Sequence, residues 1–422
     1  MFDKLLDRYL GGAVKRGVVK VIHHDGREIV FGKPTPGFDE VTLRLIGKAT
    51  AREIVLDTRL GAAEAFIAGK LVIEQGDVMG LACLLRQNSP FDQGGNFGDV
   101  SPARKVLNKI AGRIDSFNEA RSARSNVARH YDLGNAFYEL FLDSDWLQYS
   151  CAFWPREDMT LDQAQEAKLA HIAAKLALEP GQRVLDIGCG WGGMAIYLAQ
   201  RRGVCVKGIT LSEEQVALAR ERATAAGVSD RVEFELVDYR ALPARGETFD
   251  RIVSVGMFEH VGVPQFETFF RACANLLSPD GVMLLHTIGR MGNPGTTDAF
   301  TRKYIFPGGY IPALSETVAA SQKVRLLACD IEMLRLHYAR TLRAWYARCL
   351  EHRAEIVAMY DEPFFRMWIF YLAGATAAFE NGGLCNYQIQ FARNRRSLPL
   401  TRDYMGEAEA ALVGAGGEGA AG

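Results

Sequence analysis

A glycine-rich bend follows a short apolar segment near the middle of the chain. Residues 183–193 read Arg-Val-Leu-Asp-Ile-Gly-Cys-Gly-Trp-Gly-Gly, so that Asp186 lies near the end of an apolar strand and the glycines open the bend. Because glycine has no Cβ atom, Gly188, Gly190 and Gly192 allow a ligand to lie almost against the main chain. A helix that begins near Gly192 directs its positive end at that ligand. Bends of this kind at the carboxyl edge of a parallel sheet hold adenosine-containing cofactors.

The segments that follow indicate which cofactor this is. Dinucleotide sites need an acid at the tip of the second strand. Here both acids of Gly208–Gln215 fall inside the next helix instead, because Ser212 and Gln215 form a capping box at the start of that helix. The bend lacks the GxGxxG spacing, and no Walker lysine is present to bind phosphates. S-adenosylmethionine, which has no phosphate, is therefore favoured. Its ribose would meet residues 210–215, and its adenine would meet Asp238 after the third strand, although Asp238 could instead be a helix N-cap or turn acid.

Two further polar residues follow apolar strands, where open α/β sheets build their sites. Glu259 and His286 occupy these positions, but Glu259 and His260 could equally begin a helix as surface residues, and His286 could be a hydrogen-bonded core histidine. Tyr338 shares a helix face with apolar residues and could be a core tyrosine whose hydroxyl needs a partner. A metal site formed by Glu259, His260 and His286 lacks helical ligand spacing such as HExxH.

The elements that would position these residues form an α/β pattern. Residues 130–290 alternate strand and helix, which predicts a doubly wound sheet. The predicted strands are 184–187, 204–211, 232–237, 251–255 and 282–286, and the predicted helices are 193–202, the segment after Ser212, and 265–277. The segment 290–314 is rich in glycine and proline and predicts a lid or insertion. Helices are predicted from 315 to 360 and from 364 to 379.

The length of 422 residues predicts more than one domain. Residues 1–88 predict a small α+β domain, because three segments alternate like half-buried strands, Asp25-Gly26 is a hairpin turn and Leu60–Ile67 is helical. Residues 89–125 predict a basic linker or helix, 126–405 the larger α/β domain, and 406–422 a disordered tail rich in alanine and glycine.

Charge and hydropathy limit the classes of partner. The formal net charge of −1 argues against a nucleic-acid binder, and the longest apolar run, 367–379, is shorter than the roughly 20 residues of a membrane span. Residues 103–129 are mainly basic, which predicts peripheral attraction to an anionic membrane surface, with a solvated helical surface as the alternative. The absence of an apolar signal region, and eight cysteines without metal-ligand spacing, predict a cytoplasmic protein with reduced thiols.

Six segments together resemble the cyclopropane-fatty-acyl-phospholipid synthases and the related mycolic acid methyltransferases. In the family's order they are Tyr149–Trp154, Val184–Gly192, Gly208–Gln215, Val253–Gly262, Leu285–Gly289 and Tyr338–Trp345. The resemblance implies a class I S-adenosylmethionine-dependent methyltransferase fold. Residues 1–88 resemble the small lipid-binding domain of the longer bacterial members.

The resemblance also implies the reaction, which is transfer of a methylene group from S-adenosylmethionine to the cis double bond of an unsaturated acyl chain, usually in a membrane phospholipid. It implies bound bicarbonate as general base, held by the backbone of Cys151 and Ile288 and by the side chains of Glu259, His286 and Tyr338. The implied cofactor contacts are Tyr149, Ser150, the 184–192 loop, Thr210, Leu211, Gln215, Asp238, Tyr239 and Arg240. The family alone implies a possible homodimer.

The chain departs from the family at one position. Ala375 stands where members often carry a cysteine, which excludes a covalent cysteine mechanism there. Two other outcomes stay open. One is a methyltransferase that stops before ring closure and leaves a methyl branch or a methylene group. The other is a non-catalytic lipid-binding protein that keeps the fold.

Overall fold

The computed structural model describes residues 1–57, 60–95 and 133–417, with side chains up to residue 412. The basic stretch 103–129 and most of the predicted linker therefore lie outside the described residues. The contacts between elements divide the chain into two units. Unit 1 comprises the described part of residues 1–109 together with 297–307 and 339–384, and unit 2 comprises the described part of 110–296, 308–338 and 385–422.

Helices and strands alternate along most of the described chain. The helices, in chain order, are α1 (Phe2–Ala13), α2 (Thr50–Leu56), α3 (Gly61–Ile67), α4 (Val78–Gln87), α5 (Asn135–Glu139), α6 (Leu161–Lys175), α7 (Gly193–Arg202), α8 (Glu213–Ala225), α9 (Phe266–Leu276), α10 (Leu314–Gln322), α11 (His337–Glu351), α12 (Arg353–Met359), α13 (Glu362–Glu380) and α14 (Asp403–Gly417). The strands are β1 (Gly17–Ile22), β2 (Glu28–Lys33), β3 (Glu40–Leu45), β4 (Leu71–Gln75), β5 (Arg183–Ile187), β6 (Cys205–Thr210), β7 (Val232–Leu236), β8 (Phe249–Val255), β9 (Leu277–Arg290), β10 (Leu327–Leu334) and β11 (Leu384–Ala392).

Unit 1 is built around a four-stranded sheet in the order β2-β1-β3-β4. β1 and β2 form the antiparallel hairpin predicted from Asp25-Gly26, and β3 lies parallel to β1. The segment 339–384, assigned to the larger domain on sequence, instead belongs to this unit, because α13 packs against α3 and α4. Neither α13 nor any other described helix is long and apolar enough to cross a membrane.

Unit 2 contains a seven-stranded sheet in the order β10-β11-β9-β8-β5-β6-β7. The strands β5 to β9 pair in parallel, whereas β10 and β11 pair antiparallel. The chain runs from β5 outward to β7 and then continues on the other side of β5 with β8, which leaves a crevice at the carboxyl end of β5. This arrangement confirms the predicted doubly wound α/β fold.

Apolar clusters cover both faces of this sheet, one around α6 and α7 and the other around α9. β11 is an exception to the apolar interior. Its alternate residues Asn386, Gln388 and Gln390 share one face and are buried, with exposed fractions of 1%, 0% and 2%. Since buried polar groups need hydrogen-bond partners, this face of β11 must meet other polar side chains.

The sequence predictions missed both strands at one edge of the sheet. Residues 315–360 were predicted to be helical, but β10 lies between α10 and α11, and β11 was not predicted. The sequence of β10, Leu-Ala-Cys-Asp-Ile-Glu-Met-Leu, contains several strong helix formers. Pairing with β11 therefore overrides a local helical preference.

The C-terminal segment also differs from its prediction. Residues from 406 onward were predicted to be disordered, but α14 covers Asp403–Gly417 and packs against α6. Alanine is the strongest helix former, and Leu412 of α14 is part of the apolar cluster around α6. A segment of low complexity can thus be ordered when a few apolar side chains find a packing partner.

The segment 290–314, predicted to be a lid or insertion, is divided between the units. Residues 297–307 belong to unit 1, where the Tyr304 hydroxyl donates to Glu64 at 2.9 Å. In unit 2, Arg290 forms an isolated β-bridge with Ala313. The role of this segment as a lid stays a prediction.

Leu412→Ala should lower the free energy of unfolding by about 2 kcal/mol, because it removes a buried side chain between α14 and α6. Urea unfolding followed by circular dichroism measures this. Leu400→Ala is the matched control, since Leu400 is fully exposed and its truncation should leave stability unchanged. Equal stability of the two variants would contradict the packing of α14.

Candidate active site

The glycine bend brings bare main chain to a pocket. The backbone N–H groups of Gly188 and Cys189 donate to the carbonyl of Ile209 at 2.9 and 3.0 Å, which ties the bend to the end of β6. Gly190 lines the adjoining pocket with a φ of +53°, and a Cβ there would meet no atom within 4 Å. The open space beside Gly190 is therefore available to a ligand.

Gly192 has a packing role, and its predicted ligand contact stays a prediction. It is the N-cap of α7 with a φ of +80°, and a Cβ there would lie 2.5 Å from the Phe234 ring of β7. Gly192 is not among the described residues that line the pocket. Close packing against Phe234 therefore requires a glycine at this position.

The other predicted cofactor residues all line this one pocket. They are Tyr149, Ser150, Asp186, Gly188, Gly190, Thr210, Leu211, Gln215, Asp238, Tyr239 and Arg240. They come from separate segments of the sequence, and the parallel sheet brings those segments together at the carboxyl ends of its strands. Their individual roles in binding stay predictions.

The ribose-binding segment is held by its own hydrogen bonds. The Ser212 side chain accepts the N–H of Gln215 at 3.3 Å and caps α8, as predicted. The other half of the predicted capping box is replaced, because the Gln215 side chain accepts from the Thr210 hydroxyl at 2.8 Å. Thr210 and Gln215 are thereby fixed side by side at the pocket wall.

Asp238 combines its two predicted roles. Its side chain accepts the Arg240 N–H at 2.9 Å, which caps the short 3₁₀-helix Tyr239–Arg245. The same carboxylate forms an ion pair with the Arg240 guanidinium at 2.5 Å. Because Asp238 also lines the pocket, the turn presents a firmly held carboxylate to a ligand.

Asp186, at the end of β5, is a buried carboxyl group in the pocket wall. Burial raises its pKa to about 7, and the positive charge of Lys168 opposes this rise. Its Oδ2 atom has no hydrogen-bond partner among the described residues. A cationic group of a ligand would satisfy both the charge and the hydrogen-bonding capacity of this carboxyl.

Lys168 of α6 is a buried residue that the sequence analysis missed. Its ammonium donates to Gln148 Oε1 and to Ser150 Oγ at 2.5 and 2.9 Å, and both acceptors belong to residues that line the pocket. Burial lowers the lysine pKa to about 8, while the charges of Asp143, Cys151 and Asp186 oppose the shift. The sequence of α6 mixes apolar and polar residues without a recognisable motif, so it did not indicate that Lys168 supports the pocket wall.

Glu259 and Ile288, two of the residues predicted to hold bicarbonate, are direct partners. The N–H of Ile288 donates to Glu259 Oε1 at 2.6 Å, whereas Glu259 Oε2 is buried without a partner among the described residues. Burial raises the pKa of Glu259 to about 7, against the effect of its hydrogen bonds with Ile288 and Thr287. Burial therefore favours the protonated form of this carboxyl group more than solvent exposure would.

Cys151, His286 and Tyr338 are all buried in unit 2. The Cys151 thiol donates to the carbonyl of Ala152 at 3.3 Å, and burial raises its pKa. Tyr338 lies in the first turn of α11. None of these residues, nor Glu259 or Ile288, lines the cofactor pocket within the part of the chain that the structure describes.

Two of the pocket-lining residues that the sequence analysis did not assign to the pocket are His260 and Gln148. His260 is adjacent to Glu259 in the short 3₁₀-helix Phe258–His260, and burial lowers its pKa to about 4, which keeps the imidazole neutral. The side chain of Gln148, the second residue, accepts a hydrogen bond from the Lys168 ammonium group. Gln148 directly precedes the matching segment Tyr149–Trp154 and His260 lies within Val253–Gly262, and these positions are the signal that could have found them.

The sheet order, the glycine bend after β5 and the pocket beside it define a class I S-adenosylmethionine-dependent methyltransferase. The fold is similar to that of a mycolic acid cyclopropane synthase solved in complex with SAH and CTAB, with a TM-score of 0.60 and 32% identity over 64% of this chain and 98% of the other. The chain is thus an enzyme that uses S-adenosylmethionine, as predicted, and the alternative of a non-catalytic lipid-binding protein is not supported.

The chain belongs to the mycolic acid cyclopropane synthetase family, whose model matches residues 118–389. It is 36% identical over 406 residues to a probable fatty acid methyltransferase of Pseudomonas putida, and this alignment covers 90% of this chain and 94% of the relative. It is 42% identical over 286 residues to the cyclopropane-fatty-acyl-phospholipid synthase of Escherichia coli K12, and this alignment covers 68% of this chain and 72% of the relative. The resemblance deduced from the six segments is confirmed.

Lys168→Met should weaken binding of S-adenosylmethionine by about tenfold, because Gln148 and Ser150 lose the group that orients them in the pocket wall. Isothermal titration calorimetry measures the dissociation constant. The matched control is Lys175→Met on the same helix, since Lys175 contacts Glu332 and Gln388 rather than the pocket. Equal affinities of the two variants would argue against this role of Lys168.

Proposed function

We propose that this enzyme transfers a methylene group from S-adenosylmethionine to the cis double bond of an unsaturated acyl chain of a membrane phospholipid and thereby forms a cyclopropane ring. The observation that carries the proposal is the buried Glu259 carboxyl, with a pKa of about 7 and one oxygen without a partner among the described residues. Its neighbours in the chain, Met257 and His260, line the cofactor pocket. The relationship to a cyclopropane-fatty-acyl-phospholipid synthase supports the substrate.

The pocket suits S-adenosylmethionine in both shape and charge. The space beside Gly190 accepts a ligand close to the main chain, and the buried Asp186 carboxyl complements a ligand's ammonium group. Thr210 and Gln215 offer hydrogen bonds to ribose hydroxyls, and Asp238 offers an acceptor to an adenine amino group. When bound, the cofactor supplies an electrophilic methyl group on a sulfonium centre.

The proposed reaction makes two demands on the protein. An alkene is a weak nucleophile, and its attack on the methyl group leaves a carbocation that water would capture, so the site must be dry. The new methyl group must then lose a proton for the second carbon–carbon bond to close. A buried carboxyl with a pKa near neutrality can hold a proton at Oε2 of Glu259 or accept a hydrogen bond there.

The predicted bicarbonate ion is part of this proposal, and the donor set suits it. The partnerless Oε2 of Glu259 can accept from the hydroxyl of a bicarbonate, and His286 and Tyr338 can donate to an anion. The Ile288 N–H already donates to Glu259 Oε1, so an ion there would share this donor. Bicarbonate would supply a base that a sulfonium methyl group alkylates poorly.

A second product class is favoured by one comparison. The relative named a probable fatty acid methyltransferase matches 94% of its own length, including the region of unit 1. A methyl-branched or methylene product would share the first carbon–carbon bond and differ only in the later fate of the cation. The anionic membrane surface as the source of substrate, and a homodimer, also belong to the proposal.

The reaction is tested with vesicles of a monounsaturated phospholipid, purified enzyme and methyl-labelled S-adenosylmethionine. We expect labelled acyl chains heavier by one methylene group. Because a ring and a methylene branch have the same mass, the products are ozonised before mass spectrometry, and only the ring survives uncleaved. Cleavage of the labelled product would support the methylene alternative, and absence of label in lipid would refute the proposal.

Glu259→Gln should lower kcat by about 100-fold or more, because glutamine neither holds nor accepts the proton at this position. The dissociation constant of S-adenosylmethionine should change less than about threefold, since Glu259 does not line the pocket. Glu267→Gln is the control, because Glu267 is a partly exposed carboxyl on α9 that pairs with Arg271. Loss of cofactor binding with normal turnover at saturation would contradict this role of Glu259.

A further inference from the structure

Three buried side chains form a continuous line of hydrogen bonds that ends at His286. The Lys175 ammonium of α6 donates to Gln388 Oε1 at 2.8 Å, and Gln388 Nε2 lies 3.2 Å from His286 Nδ1. The exposed fractions of Lys175, Gln388 and His286 are 1%, 0% and 0%. All three side chains are therefore shielded from bulk solvent.

The lysine at one end of the line fixes the orientation of the amide. An ammonium group has only donors, so the oxygen of Gln388 must face Lys175 and the NH2 group must face His286. Lys175 is itself held by an ion pair with Glu332. Burial opposes ionisation of Glu332, but its hydrogen bonds and charge interactions with His171 and Lys175 lower its pKa to about 2, so this partner is anionic.

The amide in turn fixes the imidazole. Because the Gln388 NH2 group donates, His286 Nδ1 must accept, and the proton of a neutral imidazole must then lie on Nε2. Burial, together with the positive charges of Lys168 and Lys175, lowers the pKa of His286 well below its usual range. The ring is therefore neutral, and its single proton has one defined position.

We propose that Lys175 and Gln388 are positioning residues that hold His286 as the Nε2–H tautomer, so that His286 donates from Nε2 to the anion of the active site. The identity of that anion rests on the proposed function, but the tautomer does not. Asn386 Nδ2 lies 3.4 Å from His286 Nε2, and Asn386 Oδ1 has no partner among the described residues. A half-turn of this amide would let Oδ1 accept from Nε2–H when no anion is bound.

The tautomer has a chemical consequence in an enzyme that uses a methyl donor. A bare imidazole nitrogen is a nucleophile, and a sulfonium methyl group would alkylate it. A proton on Nε2 removes that lone pair and offers a hydrogen bond in its place. The line from Lys175 thus makes His286 an inert donor rather than a base, which leaves proton acceptance to other groups.

The test is nitrogen-15 NMR of the full-length protein with labelled histidine, because protonated and bare ring nitrogens differ widely in chemical shift. The signals of His286 are assigned by their loss in His286→Gln. In the wild type we expect a protonated Nε2 and a bare Nδ1. In Gln388→Glu the new carboxylate accepts rather than donates, so Nδ1 should become protonated. In Lys175→Met the amide is free to turn, and a fraction of Nδ1–H should appear.

Turnover provides the second readout. Gln388→Glu should lower kcat about 10- to 100-fold, the usual cost of disturbing a group that orients a ligand, while the dissociation constant of S-adenosylmethionine stays unchanged. Gln390→Glu is the matched control. Gln390 lies on the same face of β11 and donates to the Lys175 carbonyl and the Tyr404 hydroxyl, so this variant buries the same charge without touching His286. Its His286 signals should match those of the wild type.

The outcomes separate this proposal from the proposed function. A protonated Nδ1 in the wild type, or a bare Nδ1 in Gln388→Glu, would overturn the tautomer assignment even if cyclopropane products form. Conversely, failure to label any lipid would refute the proposed reaction and leave the NMR result intact. If Gln388→Glu does not fold, the wild-type spectrum and the spectrum of Lys175→Met still test the tautomer assignment of His286.

Discussion

The burial of ammonium groups between α6 and the sheet is the constraint on which the site in unit 2 depends. A buried charge without partners costs several kcal/mol, so Lys168 and Lys175 must each be surrounded by acceptors. Those acceptors, Ser150 for Lys168 and Gln388 for Lys175, belong to the segments that approach the cofactor pocket and His286. The apolar clusters stabilise the fold, whereas these two lysines determine where the polar side chains of the site can lie.

A short turn separates two chemical environments. In the 3₁₀-helix Phe258–His260, the His260 side chain reaches the cofactor pocket, while Glu259 is directed to the backbone of Ile288. Successive side chains in such a turn point about 120° apart, so two adjacent polar residues can serve different sites. In the proposed function the pocket would hold the cofactor, whereas Glu259, whose pKa is raised by burial to about 7, faces Ile288 from the same turn.

The sequence revealed the parts of the site that depend on local chain geometry. The bend from Gly188 to Gly192, the cap at Ser212 and the acid Asp238 are short-range features, and each was found from its spacing. Pairing of distant segments was not visible in this way.

β11, for example, alternates polar and apolar residues as a surface strand would, but its polar residues are buried because Lys175 and His286 face them. The packing of Gly192 against Phe234 is equally long-range, and the glycine spacing alone did not predict it.

The position of β11 in the chain also has a consequence for biosynthesis. Gln388 lies 102 residues after His286, so that a ribosome must add this whole segment before the edge of β9 can be covered. At ordinary translation rates this takes roughly 5 to 20 s, during which a nascent chain has an open strand edge. Before that time the imidazole is solvated and its tautomer is unspecified. Enzymatic competence can therefore arise only once translation has passed β11.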